Sequence, residues 1–166
     1  ALARAAPHGH LKIMVPMVTL AAELEETAAL LDQVMADLMR DGIAAKRPPL
    51  GIMVEVPAVA VAPELLAKAA FFSIGSNDLT QYVMAAGRDE TSVAHLGDPA
   101  HPAVLRLIAH VAKYGRERGI PVSLCGDMAS EPRHLAALIA AGLRTLSVSP
   151  ASIARVKAAL AEIKPS

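Results

Sequence analysis

The sequence predicts an α/β fold, a parallel sheet with helices packed over it. Three observations point there. Short β-branched runs alternate with longer stretches whose apolar residues recur at helical spacing. The core must be built from Ala, Val, Leu, Ile and Met, because there are only two Phe, two Tyr and no Trp. The 166 residues suit one domain, and at 54% hydrophobic they supply ample core material.

The elements follow in order. A helical scrap, Leu2 to Ala6, precedes the first strand, Leu11 to Met17. Thr19 then caps a helix to about Arg40, with Leu20, Leu24, Ala28, Leu31 and Met35 on one face. Glu23, Glu25 and Glu26 favour its positive end, and Asp41-Gly42 stops it. The second strand is Leu50 to Val56. A short helix to about Lys68 follows, broken or restarted at Pro63.

The third strand is Phe71 to Gly75. Asn77-Asp78 lead into a short helix from Leu79 to Ala85, and a long loop runs from Ala86 to Ala100. Pro102 occupies the first position of a helix that ends at Gly119. The fourth strand is Pro121 to Cys125. Ser130 caps a helix to about Ala141, and Gly142 stops it. The fifth strand is Thr145 to Val148, and Ser149-Pro150 open a last helix to about Ile163. Five strand–helix units are therefore expected in a parallel sheet with covered faces.

The bulk numbers exclude several classes. Charged residues balance at net zero, which argues against a nucleic-acid surface with its basic stripe. No stretch approaches the roughly 18 uninterrupted apolar residues of a membrane span, so no membrane insertion is expected. The single Cys125 rules out an internal disulfide and suits a reducing cytoplasm. The six histidines show no metal-ligand spacing with it and read as surface or helix-end residues.

In parallel α/β folds, ligands bind beyond the carboxyl ends of the strands. Those ends carry Pro16, Met17 and Thr19; then Glu55; then Ser76, Asn77 and Asp78; then Cys125, Gly126 and Asp127; then Ser147 and Ser149. Glu55 stands out, because an ionised carboxylate in an apolar run is costly to bury without a partner. It reads either as a rim salt bridge to Arg88 or Lys12, or as a metal ligand. With Asp78 it would offer two hard oxygens to Mg²⁺. Asn77 and Asp78 read equally as helix caps, and a helix start also receives anions. Cys125 is either a small buried hydrophobe or a functional thiol. Arg88 becomes functional only if a phosphate or carboxylate meets its fork of donors.

Four segments resemble a known family: Lys12 to Met17 (KIMVPM), Gly51 to Pro57 (GIMVEVP), Phe71 to Tyr82 (FFSIGSNDLTQY) and Leu124 to Ala129 (LCGDMA). They are similar, in order, to the carboxyl-terminal phosphoenolpyruvate-binding domain of phosphotransferase-system enzyme I. Leu146 to Ile153 resembles the end of that domain. The resemblance implies a TIM-type (β/α)8 barrel, here incomplete, with residues 1–166 as its carboxyl-terminal five units. The remaining barrel strands, the phosphohistidine domain and the carrier-binding domain are expected to lie outside this sequence.

By the same resemblance, Glu55 and Asp78 are ligands of a Mg²⁺ cofactor. Asn77 and Arg88 contact the substrate phosphate. Cys125 exchanges the proton at the methylene carbon between phosphoenolpyruvate and pyruvate. The implied phosphoryl acceptor is a histidine of the parent protein, which hands the group to the histidine phosphocarrier protein. A cytoplasmic homodimer is implied as well. Asp127 departs from the Glu more usual in the family, and Ser130-Glu131 from its commoner Gly-Asp. Pyruvate phosphate dikinase and phosphoenolpyruvate synthase share this barrel and a Cys-Gly site. The alternatives are therefore a relative of those enzymes or a catalytically silent dimerisation module.

Overall fold

The computed structural model describes residues 1–163. Four parallel strands form one sheet: β1 (Ile13–Val15), β2 (Leu50–Val54), β3 (Phe72–Gly75) and β4 (Val122–Cys125). Their spatial order is β1-β2-β3-β4, the order in sequence. A sheet that adds each new strand on the same side is wound in one direction, as a barrel is.

The helices are α1 (Leu2–Ala5), α2 (Ala21–Arg40), α3 (Pro57–Val61), α4 (Ser76–Met84), α5 (Pro102–Arg118), α6 (Asp127–Ser130), α7 (Pro132–Ala140) and α8 (Ile153–Glu162). Helix α3 packs on α5, α5 on α7 and α7 on α8, so the outer layer follows the sheet round. The predicted break at Pro63 is present: α3 stops at Val61 and a 3₁₀ turn starts at Pro63. Pro102 opens α5, and Gly119 closes it in the left-handed conformation, with φ +69°.

The register explains the core. Ile13 pairs with Leu50, Ile52 with Phe72, and Ile74 with Leu124. These residues and Val54 point to the helices and form the hydrophobic core with Val59, Leu79, Val104, Ile108, Val111 and Leu138. The alternate positions, Met14, Gly51, Met53, Ser73, Gly75, Ser123 and Cys125, lie on the opposite face. One face is thus large and apolar, and the other is small, sulfur-bearing and polar. Glu55 continues the second series, two residues beyond Met53.

Several expectations are corrected. The fifth strand contracts to a single bridge between Leu124 and Leu146, made by two backbone bonds of 3.1 and 2.8 Å. Gly126, with φ +102°, follows Cys125 at the end of β4, and beyond Leu146 no further bridge to β4 forms among the described residues. The sheet stays open. Thr19 does not cap α2. The Glu23 carboxylate reaches back instead, accepting the N–H groups of Thr19 and Leu20 at 2.7 Å, and these bonds hold its pKa below the usual carboxylate value.

Asn77 and Asp78 are not caps either, because α4 begins at Ser76 and takes both into its first turn. Ser130 ends α6 rather than capping α7, whose preceding residue is Glu131. Of the two readings given to the histidines, His134 meets the helix-end one, in the first turn of α7, and not the surface one. It is buried in α7, and its Nε2 has no hydrogen-bond partner among the described residues.

Candidate functional site at the carboxyl rim of the sheet

Parallel strands put all their carboxyl ends on one rim, and the predicted residues gather there. Glu55 follows β2, Asn77 and Asp78 open α4 directly after β3, and Cys125 ends β4.

Glu55 is 2% exposed. Its Oε1 accepts the backbone N–H of Met17 at 2.7 Å, across from the end of β1. Its Oε2 lies over Gly75, so close that a Cβ there would meet it at 2.6 Å. Burial pushes the Glu55 pKa above the usual carboxylate value. The Met17 N–H opposes that shift, while the negative charge of Asp78 and hydrogen bonding with its carboxyl add to it.

The rim salt bridge expected as one reading of Glu55 does not form. Lys12 sits over the Phe71 ring, 5.2 Å from its centroid. Arg88 turns to Asp78, with Nη2 3.5 Å from Oδ1. That pair is loose and half-exposed, so it adds little stability.

Asn77 is held by Asp127 in a reciprocal clasp. Asn77 Nδ2 donates to Asp127 Oδ2 at 3.1 Å, and the Asp127 N–H donates to Asn77 Oδ1 at 2.9 Å. This leaves the second Nδ2 proton free to meet an anion. The clasp needs Gly126, since a Cβ there would overlap Ser76 Oγ and Asn77 Oδ1. Asn77, Asp127, Arg88, Ser76 and Thr80 line part of a cavity of about 190 Å³.

Cys125 is partly buried. Ser73 Oγ donates to its Sγ at 3.8 Å, and the thiol faces the Ile74 carbonyl at 3.5 Å. Ser76 Oγ donates to the Cys125 carbonyl at 2.7 Å. A larger apolar hollow of about 580 Å³, between α7, Leu146 and α8, contains none of these residues.

No group of three or more His, Cys, Asp and Glu side chains gathers as a metal cluster among the described residues. A hard dication needs fewer protein ligands when a phosphate and waters complete its shell. Glu55 and Asp78 fit that case. They are two carboxylates whose negative charges act on each other, one of them buried, and that repulsion is what a cation would relieve.

The structure therefore brings Glu55 and Asp78 together, sets Arg88 against Asp78, and groups Arg88 with Asn77 in the cavity. Cys125 joins them through Ser76 and the β3–β4 register. Sequence reasoning missed the Met17 backbone, the Asp127 clasp and Ser73. Ser73 was within reach of a period-two reading of β3, because it shares Gly75's face. The clasp pairs residues fifty positions apart and left no local signal.

The family described as "PEP-utilising enzyme, PEP-binding domain" matches residues 1–165. The chain is 42% identical over 159 residues to the phosphoenolpyruvate-protein phosphotransferase of Cupriavidus necator, covering 95% of this chain and 27% of that protein. It is 44% identical over 165 residues to the protein of the same name from Bacillus sp., covering 98% and 28%. It thus spans less than a third of either relative. Among solved structures, malate synthase of Haloferax volcanii superposes with a TM-score of 0.61 at 15% identity, over 97% of this chain and 47% of that one. A citrate lyase of Burkholderia xenovorans gives 0.58 at 21% identity, over 89% and 48%. Both are TIM-barrel-type enzymes, and at these identities they show the fold alone. With the family matched from Ala1 to Pro165, this chain belongs to the PEP-utilising enzymes as part of their PEP-binding domain.

Proposed function

We propose that this chain carries the cation- and thiol-bearing side of the phosphoenolpyruvate site of a phosphotransferase-system enzyme I. The observation that carries the reading is the convergence on one rim of buried Glu55, Asp78 with Arg88 against it, and Cys125. The names and identities of the relatives support the same reading.

Glu55 and Asp78 would hold Mg²⁺, which when bound supplies positive charge to the phosphate and enolate oxygens. Arg88 adds its donors to the phosphate, and Asn77 places an amide proton beside it. The phosphorus–oxygen bond of the substrate breaks as the phosphoryl group passes to a histidine of the parent protein. From there the group moves to the histidine phosphocarrier protein. The electron pair left on the substrate makes it an enolate, and the Cys125 thiol gives its proton to the methylene carbon, forming pyruvate. A positioned acid of this kind contributes roughly 10²–10⁴-fold.

No helix among the described residues is long and apolar enough to cross a membrane, and we place the parent reaction in the cytoplasm. Self-association belongs to the proposal. Strand β1 pairs only with β2, and Leu146 only with Leu124, among the described residues, so both sides of the sheet offer unpaired backbone groups. Light scattering should show a concentration-dependent dimer; a monomer at the highest concentrations would remove this part.

The main test is calorimetric titration of phosphoenolpyruvate into the chain, with and without Mg²⁺, alongside Glu55→Ala. Binding that needs Mg²⁺ and vanishes in the variant is expected. A folded chain that shows no Mg²⁺-dependent binding overturns the reading.

A further inference from the structure

Two residues other than glycine have positive φ among the described residues, Met17 at +55° and Ala85 at +51°. Ala85 is explained, because it ends α4 in the left-handed cap conformation. Met17 ends no helix. Its side chain is 47% exposed, so burying it does not compel the conformation. What the conformation delivers is the backbone N–H, aimed at Glu55 Oε1 and 2.7 Å from it. The side chain leans on α4, where Tyr82 Oη reaches Met17 Sδ at 3.9 Å.

We propose that the Pro16–Met17 turn is a positioning device for Glu55. The left-handed Met17 backbone locks one carboxylate oxygen and leaves the other for the cation. The two oxygens are already unequal: Oε1 is committed to Met17, and Oε2 lies over Gly75, where no Cβ obstructs it. A carboxylate bonded on one oxygen keeps a single orientation. It reaches its ligand without first losing rotamer freedom, the way outer-shell partners fix metal ligands. The inference rests on reading Glu55 as a metal ligand.

The test separates the backbone of residue 17 from its side chain. Glycine adopts positive φ freely, whereas a β-branched residue there is an outlier. Met17→Gly should therefore keep Mg²⁺ affinity within about twofold, while Met17→Val weakens it on the order of tenfold, the worth of one hydrogen bond to a charged group. In the metal-free chain, amide exchange at residue 17 should be about tenfold slower in the wild type than in Glu55→Ala, for the same reason. Equal exchange rates in those two proteins overturn the proposal, as does a glycine variant weakened as much as the valine one. If the wild type binds no Mg²⁺, the metal reading of Glu55 fails, and the exchange comparison still decides whether Met17 orients that carboxylate.

Discussion

Replacing Gly75 by alanine should cost stability, even though alanine tolerates its backbone. Gly75 has φ −84° and ψ 87°, a conformation without left-handed strain. A glycine in such a conformation, replaced by alanine, ordinarily gains about 0.4–1 kcal/mol from the unfolded chain. Here the new Cβ would lie 2.6 Å from Glu55 Oε2 and 2.9 Å from Met53 Sδ. Ordinary contact begins near 3.4 Å, so Glu55 must retreat by about 0.8 Å. That retreat stretches its 2.7 Å bond to the Met17 N–H past normal length. A bond to a charged group is worth roughly 1.5–3 kcal/mol. Overpacking a tight site costs about 1–3 kcal/mol. Both costs in full, less the entropic gain, give a net loss of about 1.5–5.5 kcal/mol.

Urea unfolding of the wild type, Gly75→Ala, Glu55→Ala and the double variant measures it. With the Glu55 carboxylate gone, most of the cost should disappear, leaving the approach to Met53 and Glu55 Cβ. The coupling energy should reach about 1 kcal/mol or more. Equal costs in the two backgrounds would refute the account of Gly75 as the seat of the Glu55 carboxylate.

Two further outcomes follow from the same geometry. Gly126→Ala combines a backbone at φ +102° with a methyl driven into Ser76 and Asn77; it should lose roughly 2 kcal/mol or more in urea unfolding and open the Asn77–Asp127 clasp, visible as a shifted Asn77 side-chain amide signal. Arg88→Lys keeps the charge but loses the planar fork, so phosphoenolpyruvate should bind about tenfold or more weakly, while urea unfolding moves by less than ~0.5 kcal/mol because the Asp78 pair is half-exposed.

His134 carries the pH dependence. Burial, and then Arg133, lower its pKa below the ordinary 6.5, while Asp98 and Glu131 pull weakly the other way. As pH falls through 6.5 the unfolded chain takes up the proton first, so stability is lost from there down to the folded pKa. His134→Phe should flatten that loss and stabilise the neutral-pH protein by about 1 kcal/mol, since an unsatisfied buried nitrogen is removed. Thermal unfolding between pH 5 and 8 reads both, and a variant with an unchanged pH profile would contradict the assignment.

The order of elements was legible in the residues alone, because periodicity and punctuation are local. Pro63, Pro102 and Gly119 each marked the boundary they occupy, and the ends of the four strands that form were named in the right order. The rim that gathers Glu55, Asn77, Asp78 and Cys125 was legible too, since parallel strands must put their carboxyl ends together. What each residue does there was not. Whether Glu55 meets a cation depends on where Lys12 and Arg88 turn, and they turn to Phe71 and Asp78. Whether Thr145 to Val148 forms a strand depends on how far it runs beside β4, and only the bridge from Leu146 to Leu124 forms. Met17 holding Glu55, and Asp127 holding Asn77, join positions 38 and 50 residues apart. Local propensity carries no trace of such contacts, because they exist only once the folded backbone brings one strand's end against another's.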